Sequence, residues 1–74
     1  MKTLGIECTA HTFSIGIVEN GVVLSNSIDT YFAGSEGYIP RKLADHHADV
    51  CGQVLNNSLK EAKCKIEDID LIAF

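Results

Sequence analysis

The sequence predicts a mixed α/β fold: antiparallel strands, then one long helix, then a further strand. Three observations carry this reading. Roughly the first thirty residues alternate apolar and polar with a period of two, interrupted by Asn20-Gly21. Residues 40–63 instead repeat apolar positions at helical spacing behind a single proline. The chain then returns to a short apolar run, Leu71-Ile72-Ala73-Phe74. That order of elements places the chain in the mixed α/β class.

The first strand is expected over about 2–8, opening on Leu4-Gly5-Ile6. A second, over about 13–19, carries Phe13, Ile15 and Ile17 on one face and Ser14, Gly16 and Val18 on the other. Asn20-Gly21 suits a two-residue type I′ hairpin, which needs positive φ at both central residues. The third strand then runs over about 22–31, with Ser and Asn on its second face. Phe32 to Ile39 holds Gly34, Ser35 and Gly37 and reads as a loop. Pro40 fits the first turn of a helix expected over about 40–63, where its missing N–H costs nothing. At 100° per residue, Leu43, His47, Val50, Cys51, Val54, Leu55, Ser58, Leu59 and Ala62 fall within an arc of about 180°. That is wider than the ~100° stripe needed to cover one sheet, so this helix is expected to touch something besides its sheet. The uncovered part of the arc, near Cys51, Leu55 and Leu59, is the expected partner surface. Ile66 to Asp70 reads as a polar connection, and a buried strand is expected over about 70–74. A chain that stops on an apolar strand reads as part of a larger lobe.

Seventy-four residues permit one small domain at most. Apolar residues make up 46% of the chain, enough for a core and too many for a disordered tail. No run approaches the roughly 20 apolar residues that span a bilayer, and the start does not read as a signal peptide. A soluble, cytoplasmic protein without membrane attachment is expected. The net charge of −4 argues against an electrostatic anchor for nucleic acid, since phosphate binding wants clustered Lys and Arg. Cys8, Cys51 and Cys64 form no CxxC pair, which suits a reducing compartment, and each reads as a small buried apolar residue.

The first turn concentrates the chemistry. An acidic residue, Glu7, is followed by the small and hydroxylated Thr9, Ala10 and Thr12, and then a strand returns. Such a turn can offer backbone N–H groups and hydroxyls to an anion, although many ordinary hairpins also contain Thr and Ser. His11 stands on this turn and is read as contacting ligand. Glu7 is read as orienting the turn, because no substrate pose makes it a general base. His46 and His47 are adjacent, so on a helix they point about 100° apart and cannot chelate one metal. His47 falls in the apolar arc as a hydrogen-bonded core residue, whereas His46 is expected in solvent at the polar edge. His47 and Cys51 have i,i+4 spacing, but two ligands make no metal site.

The run Leu4-Gly5-Ile6-Glu7-Cys8-Thr9-Ala10-His11-Thr12 resembles the amino-terminal portion of the tRNA threonylcarbamoyladenosine transferase family. So do Gly16-Ile17-Val18, Asn20-Gly21, Pro40-Arg41, His46-His47-Ala48 and the stretch from Ile66 to Phe74. The bacterial branch of that family is TsaD; Cys8-Thr9-Ala10-His11-Thr12 is closer to the archaeal and eukaryotic branch, the catalytic subunit of the KEOPS complex. The likeness covers nearly all of this chain and about the first quarter of a family member. It implies the actin, sugar-kinase and heat-shock-chaperone fold, two ribonuclease-H-like lobes around a nucleotide cleft, of which this chain is part of one lobe. It also implies transfer of a threonylcarbamoyl group from its adenylate to the exocyclic amine of the tRNA adenosine beside the anticodon, position thirty-seven. Glu7, Thr9, His11 and Thr12 then correspond to the first phosphate-facing turn, with threonylcarbamoyl adenylate or ATP as the ligand. The divalent metal implied by the family is held through an HxxxH motif and a distant aspartate, all beyond Phe74, so no catalytic or metal residue falls in this segment. The implied partners are tRNA and either KEOPS-type subunits or a paralogue of the same fold. Two other readings share the fold. A non-catalytic scaffold paralogue has no need of Thr9 and His11, and a small-molecule kinase would carry Asp where Glu7 stands.

Overall fold

Period-two alternation puts Phe13, Ile15 and Ile17 on one side of a strand, and these residues are the floor of the core. The computed structural model describes residues 1–9, 11–32, 37 and 39–74, with the side chain of Thr9 also outside the description. Its elements are β1 (Lys2–Thr9), β2 (Thr12–Glu19), β3 (Val22–Thr30), α1 (Pro40–Glu61), a 3₁₀ turn at Ile66–Asp68 and β4 (Leu71–Ala73). They form a four-stranded sheet in the order β3-β2-β1-β4. The first three strands are antiparallel neighbours, and β4 runs parallel to β1. Most of the expected loop, including Gly34 and Ser35, lies outside the described residues.

Register fixes the two faces. Leu4 stands opposite Ile17 and Ile6 opposite Ile15, on the side that α1 covers. Thr3, Gly5 and Glu7 oppose Val18, Gly16 and Ser14 on the other side. Asn20 and Gly21 have φ values of 52° and 82°, the positive pair that a type I′ turn requires. Just beyond this turn, Ile17 faces Ser25 while Val18 faces Val23, so the register slips and Leu24 is the extra residue of a bulge. Leu24 packs, partly buried, against the core.

The buried core joins Leu4, Phe13, Ile15 and Ile17 of the sheet to Val54 of α1. His47, Val54 and Ser58 are the buried residues of the helix, with Val50, Leu55, Leu59 and Ala62 packed around them. The inward stripe is therefore narrower than the apolar arc. Ser58 Oγ donates to the Ile15 carbonyl at 2.7 Å and lies 2.9 Å from Ser25 Oγ, tying α1 to β2 and β3.

Three expectations are corrected. The helix ends at Glu61, two residues early, because Lys63 turns left-handed with φ 57°. β4 is not buried: Leu71 and Ile72 are each 51% exposed and Phe74 fully so. β4 is an edge strand beside β1, whereas α1 packs across β2 and β3. Nor are the cysteines buried, for Cys8 and Cys51 are exposed and Cys64 only half-buried. Cys8 stands past the last β4 pairing, Gly5 with Ala73, so among the described residues no strand shields it on that side.

Candidate functional site: the first hairpin and the open sheet face

Pairing of β1 with β2 continues to Thr9 opposite Thr12, leaving two residues between the strands. The predicted phosphate-facing turn is thus the tip of a tight hairpin. His11 is exposed there and Thr12 half-buried, and the Thr9 side chain lies outside the described residues. The Tyr31 backbone N–H donates to the His11 carbonyl at 2.7 Å, so the end of β3 holds the tip from the side. Glu7 is exposed two pairs below, opposite Ser14 on the open face.

That face continues into a shallow groove of about 440 Å³, lined among others by Gly5, Glu7, Ser14, Gly16, Asn26 and Phe74. Gly5 and Gly16 are directly opposed and lack side chains, which clears the floor between Glu7 and β4. A Cβ on Gly5 would meet nothing within 4 Å and would project into this space. The arrangement offers a carboxylate, a hydroxyl and an amide around a bare stretch of backbone. Sequence alternation placed Ser14 and Gly16 on this face, but Asn26 joins them only through the register of β3.

The histidines separate differently from expectation. His47 is buried, its ring 5.9 Å from that of Phe13. His46 is half-buried instead of standing out in solvent. Its Nε2 lies 2.5 Å from Asp29 Oδ1, and its ring is 5.0 Å from that of Tyr31. Asp29 and Tyr31 are two apart near the end of β3, a spacing that puts them on one side of an extended chain. Helical periodicity alone could not show that the polar edge of α1 would meet that acid.

Cys51 and Leu55 share an apolar groove of about 210 Å³ with Leu4, Ile6, Ile66 and Ile72. Cys51 Sγ donates to the Ala48 carbonyl at 3.3 Å. Leu59 lies outside this groove and packs against the core. Among the described residues, no group of three or more His, Cys, Asp or Glu is placed to hold a metal ion. Also among them, no helix is long and apolar enough to cross a membrane.

Residues 22–74 match the TsaD family, described as tRNA N6-adenosine threonylcarbamoyltransferase. The chain belongs to the TsaD family. Relatives in the family include the tRNA N6-adenosine threonylcarbamoyltransferases of Thermococcus sibiricus and Caldivirga maquilingensis. The first is 46% identical over 74 residues, which is 100% of this chain and 23% of the relative. The second is 43% identical over 75 residues, with the same shares covered. The Pyrobaculum neutrophilum protein of the same name is 44% identical over 75 residues, 100% of this chain and 22% of its own length. The chain thus spans less than a quarter of these TsaD relatives. Its three antiparallel strands, long helix and parallel fourth strand form the TsaD amino-terminal segment of the actin, sugar-kinase and heat-shock-chaperone fold.

Proposed function

We propose that this chain is the amino-terminal part of an enzyme that moves a threonylcarbamoyl group from its adenylate to the exocyclic amine of the tRNA adenosine beside the anticodon. Its first hairpin, Glu7 to Thr12, faces the phosphate of that adenylate or of ATP. The observation that carries this is the hairpin itself: His11 is exposed at its tip, two pairs beyond Glu7, which lines the open groove. Small residues let backbone N–H groups and threonine hydroxyls approach an anion, and Glu7 orients the turn. The ligands of the metal implied by the family, an HxxxH motif and a distant aspartate, belong to the rest of the enzyme. With a net charge of −4, this segment also leaves the tRNA phosphates to other parts of the protein or to its partners. The edge of α1 that carries Cys51, Leu55 and Leu59 docks a KEOPS-type subunit or a paralogue of the same fold. Exposed Cys51 and the apolar groove beside Leu55 support that assignment.

The test is full-length enzyme with its partners, carrying Thr9→Val or His11→Ala and assayed for tRNA modification beside a melting curve. Loss of one hydrogen bond to a charged group costs about 1.5–3 kcal/mol, so activity should fall roughly tenfold to 150-fold. Activity within about twofold of wild type for both variants would overturn the assignment. In the same assay Leu55→Asp should weaken partner capture and leave adenylate binding intact; unchanged capture removes α1 from the interface.

A further inference from the structure

The Asp29–His46–Tyr31 cluster is not used by the reading above, yet it abuts the hairpin tip. His46 lies on the second turn of α1, with its ring set against Asp29 and Tyr31 of the β3 end. A carboxylate only accepts, so the His46 Nε2–H donates to Asp29 Oδ1. The backbone N–H of Tyr31 in turn holds the carbonyl of His11. One continuous set of contacts therefore runs from α1 through the end of β3 to the tip of the first hairpin. Thr12 opposite Thr30 is the last pair of β2 with β3, so the sheet ladder does not reach the tip on that side. The bond is part-buried, with the His46 and Asp29 side chains 25% and 37% exposed.

We propose that His46 is a positioning residue for the hairpin: through Asp29 and Tyr31 it fixes the β3 end that holds His11 in place. This rests on the hairpin facing the adenylate. His46 itself touches no ligand, and its effect on the reaction passes through the Tyr31-to-His11 hydrogen bond. A displacement of about 1 Å at a positioned group costs up to about a hundredfold in rate.

The experiment uses full-length enzyme with its partners, carrying His46→Ala, Asp29→Asn, His46→Gln, His11→Ala and the His46→Ala/His11→Ala pair. Activity is measured with threonylcarbamoyl adenylate and tRNA, and amide exchange is followed at Tyr31 and at Leu4. His46→Ala should lower kcat/KM about tenfold or more and speed exchange at Tyr31 by a similar factor, leaving Leu4 unchanged. Asp29→Asn should weaken both in the same direction. Gln places an amide N–H near the Nε2 position, so His46→Gln should restore most of the activity. Adding His46→Ala to His11→Ala should cost little more than His11→Ala alone, because both act at one point. Additive losses in the pair, or faster exchange at Leu4 as well as Tyr31, would reduce His46 to a general stabiliser and overturn the proposal. Activity of His46→Ala within twofold of wild type would do the same. If His11→Ala and Thr9→Val lose activity while His46→Ala does not, only the positioning role fails. If the two hairpin variants are themselves silent, the phosphate-facing hairpin fails and the positioning role falls with it.

Discussion

Ser58 is fully buried, and its single proton goes to the Ile15 carbonyl. Ser25, only 3% exposed, must then donate to Ser58 Oγ. Removing the Ser58 hydroxyl leaves that of Ser25 without its acceptor, which typically costs about 1–3 kcal/mol. Ser58→Ala should therefore destabilise the folded lobe by that amount. Ser25→Ala/Ser58→Ala should cost clearly less than the two single changes added, because the second removes the group the first had stranded. A double-mutant cycle by denaturant titration checks this, and strict additivity would show that the two hydroxyls do not share a bond. Helical spacing placed Ser58 in the apolar arc, but its partner lies 33 residues away across the bulge at Ile17/Val18. The same holds for His46, whose acid comes from β3. Side chains that pair across elements are not legible in a periodicity that describes one element at a time.

The helix end shows local chemistry deciding an element. Cys64 N–H bonds back to the Leu59 carbonyl and Lys63 N–H to that of Lys60, the paired closure of a Schellman motif. The position after the cap is left-handed, a conformation favouring glycine, yet Lys63 occupies it at φ 57°. Lys63→Gly should relieve about 1–2 kcal/mol of backbone strain, partly offset by the greater freedom of glycine in the unfolded chain. A net gain of about 0.5–1 kcal/mol in a denaturant titration is expected, and a loss would show that Lys63 makes contacts worth more than its strain. The opposite end of α1 was legible: Pro40 occupies its first turn. So was the Asn20-Gly21 turn, where residue type dictates φ. Lys63 carried no such signal, which is why the sequence places the helix end two residues late.

At the scale of the whole molecule, these elements make a thin two-layer slab. The radius of gyration is 13.4 Å and the extents are 43 × 18 × 15 Å. A compact chain of this length is expected near 11 Å. Among the described residues, five hydrophobic ones form the buried core, while Leu71, Ile72, Phe74, Val22, Val23 and Ile28 stay exposed. Ordering the backbone costs roughly 1–2 kcal/mol per residue, and a slab with one open face recovers less of that than a closed lobe. The isolated 74-residue chain should be marginally folded. Heated at low micromolar concentration, it should lose its circular dichroism signal gradually; a sharp cooperative transition of the monomer would contradict this.

The sequence by itself determined the order and type of the elements, because alternation, helical spacing, Pro40 and Asn20-Gly21 act within a few residues of chain. It also determined family membership, through words such as Cys8-Thr9-Ala10-His11-Thr12 whose likeness spans the whole chain. Only the tertiary structure decided which residues meet. The parallel docking of β4 as an edge left its apolar residues exposed. The bulge at Ile17/Val18 fixed which residues of β3 face α1, and so seated Asp29 under His46 and Ser25 against Ser58. Such pairings depend on how α1 aligns over the bulged strand, where a register slip of one residue exchanges the faces, and periodicity within one element does not encode which residues of another it will meet.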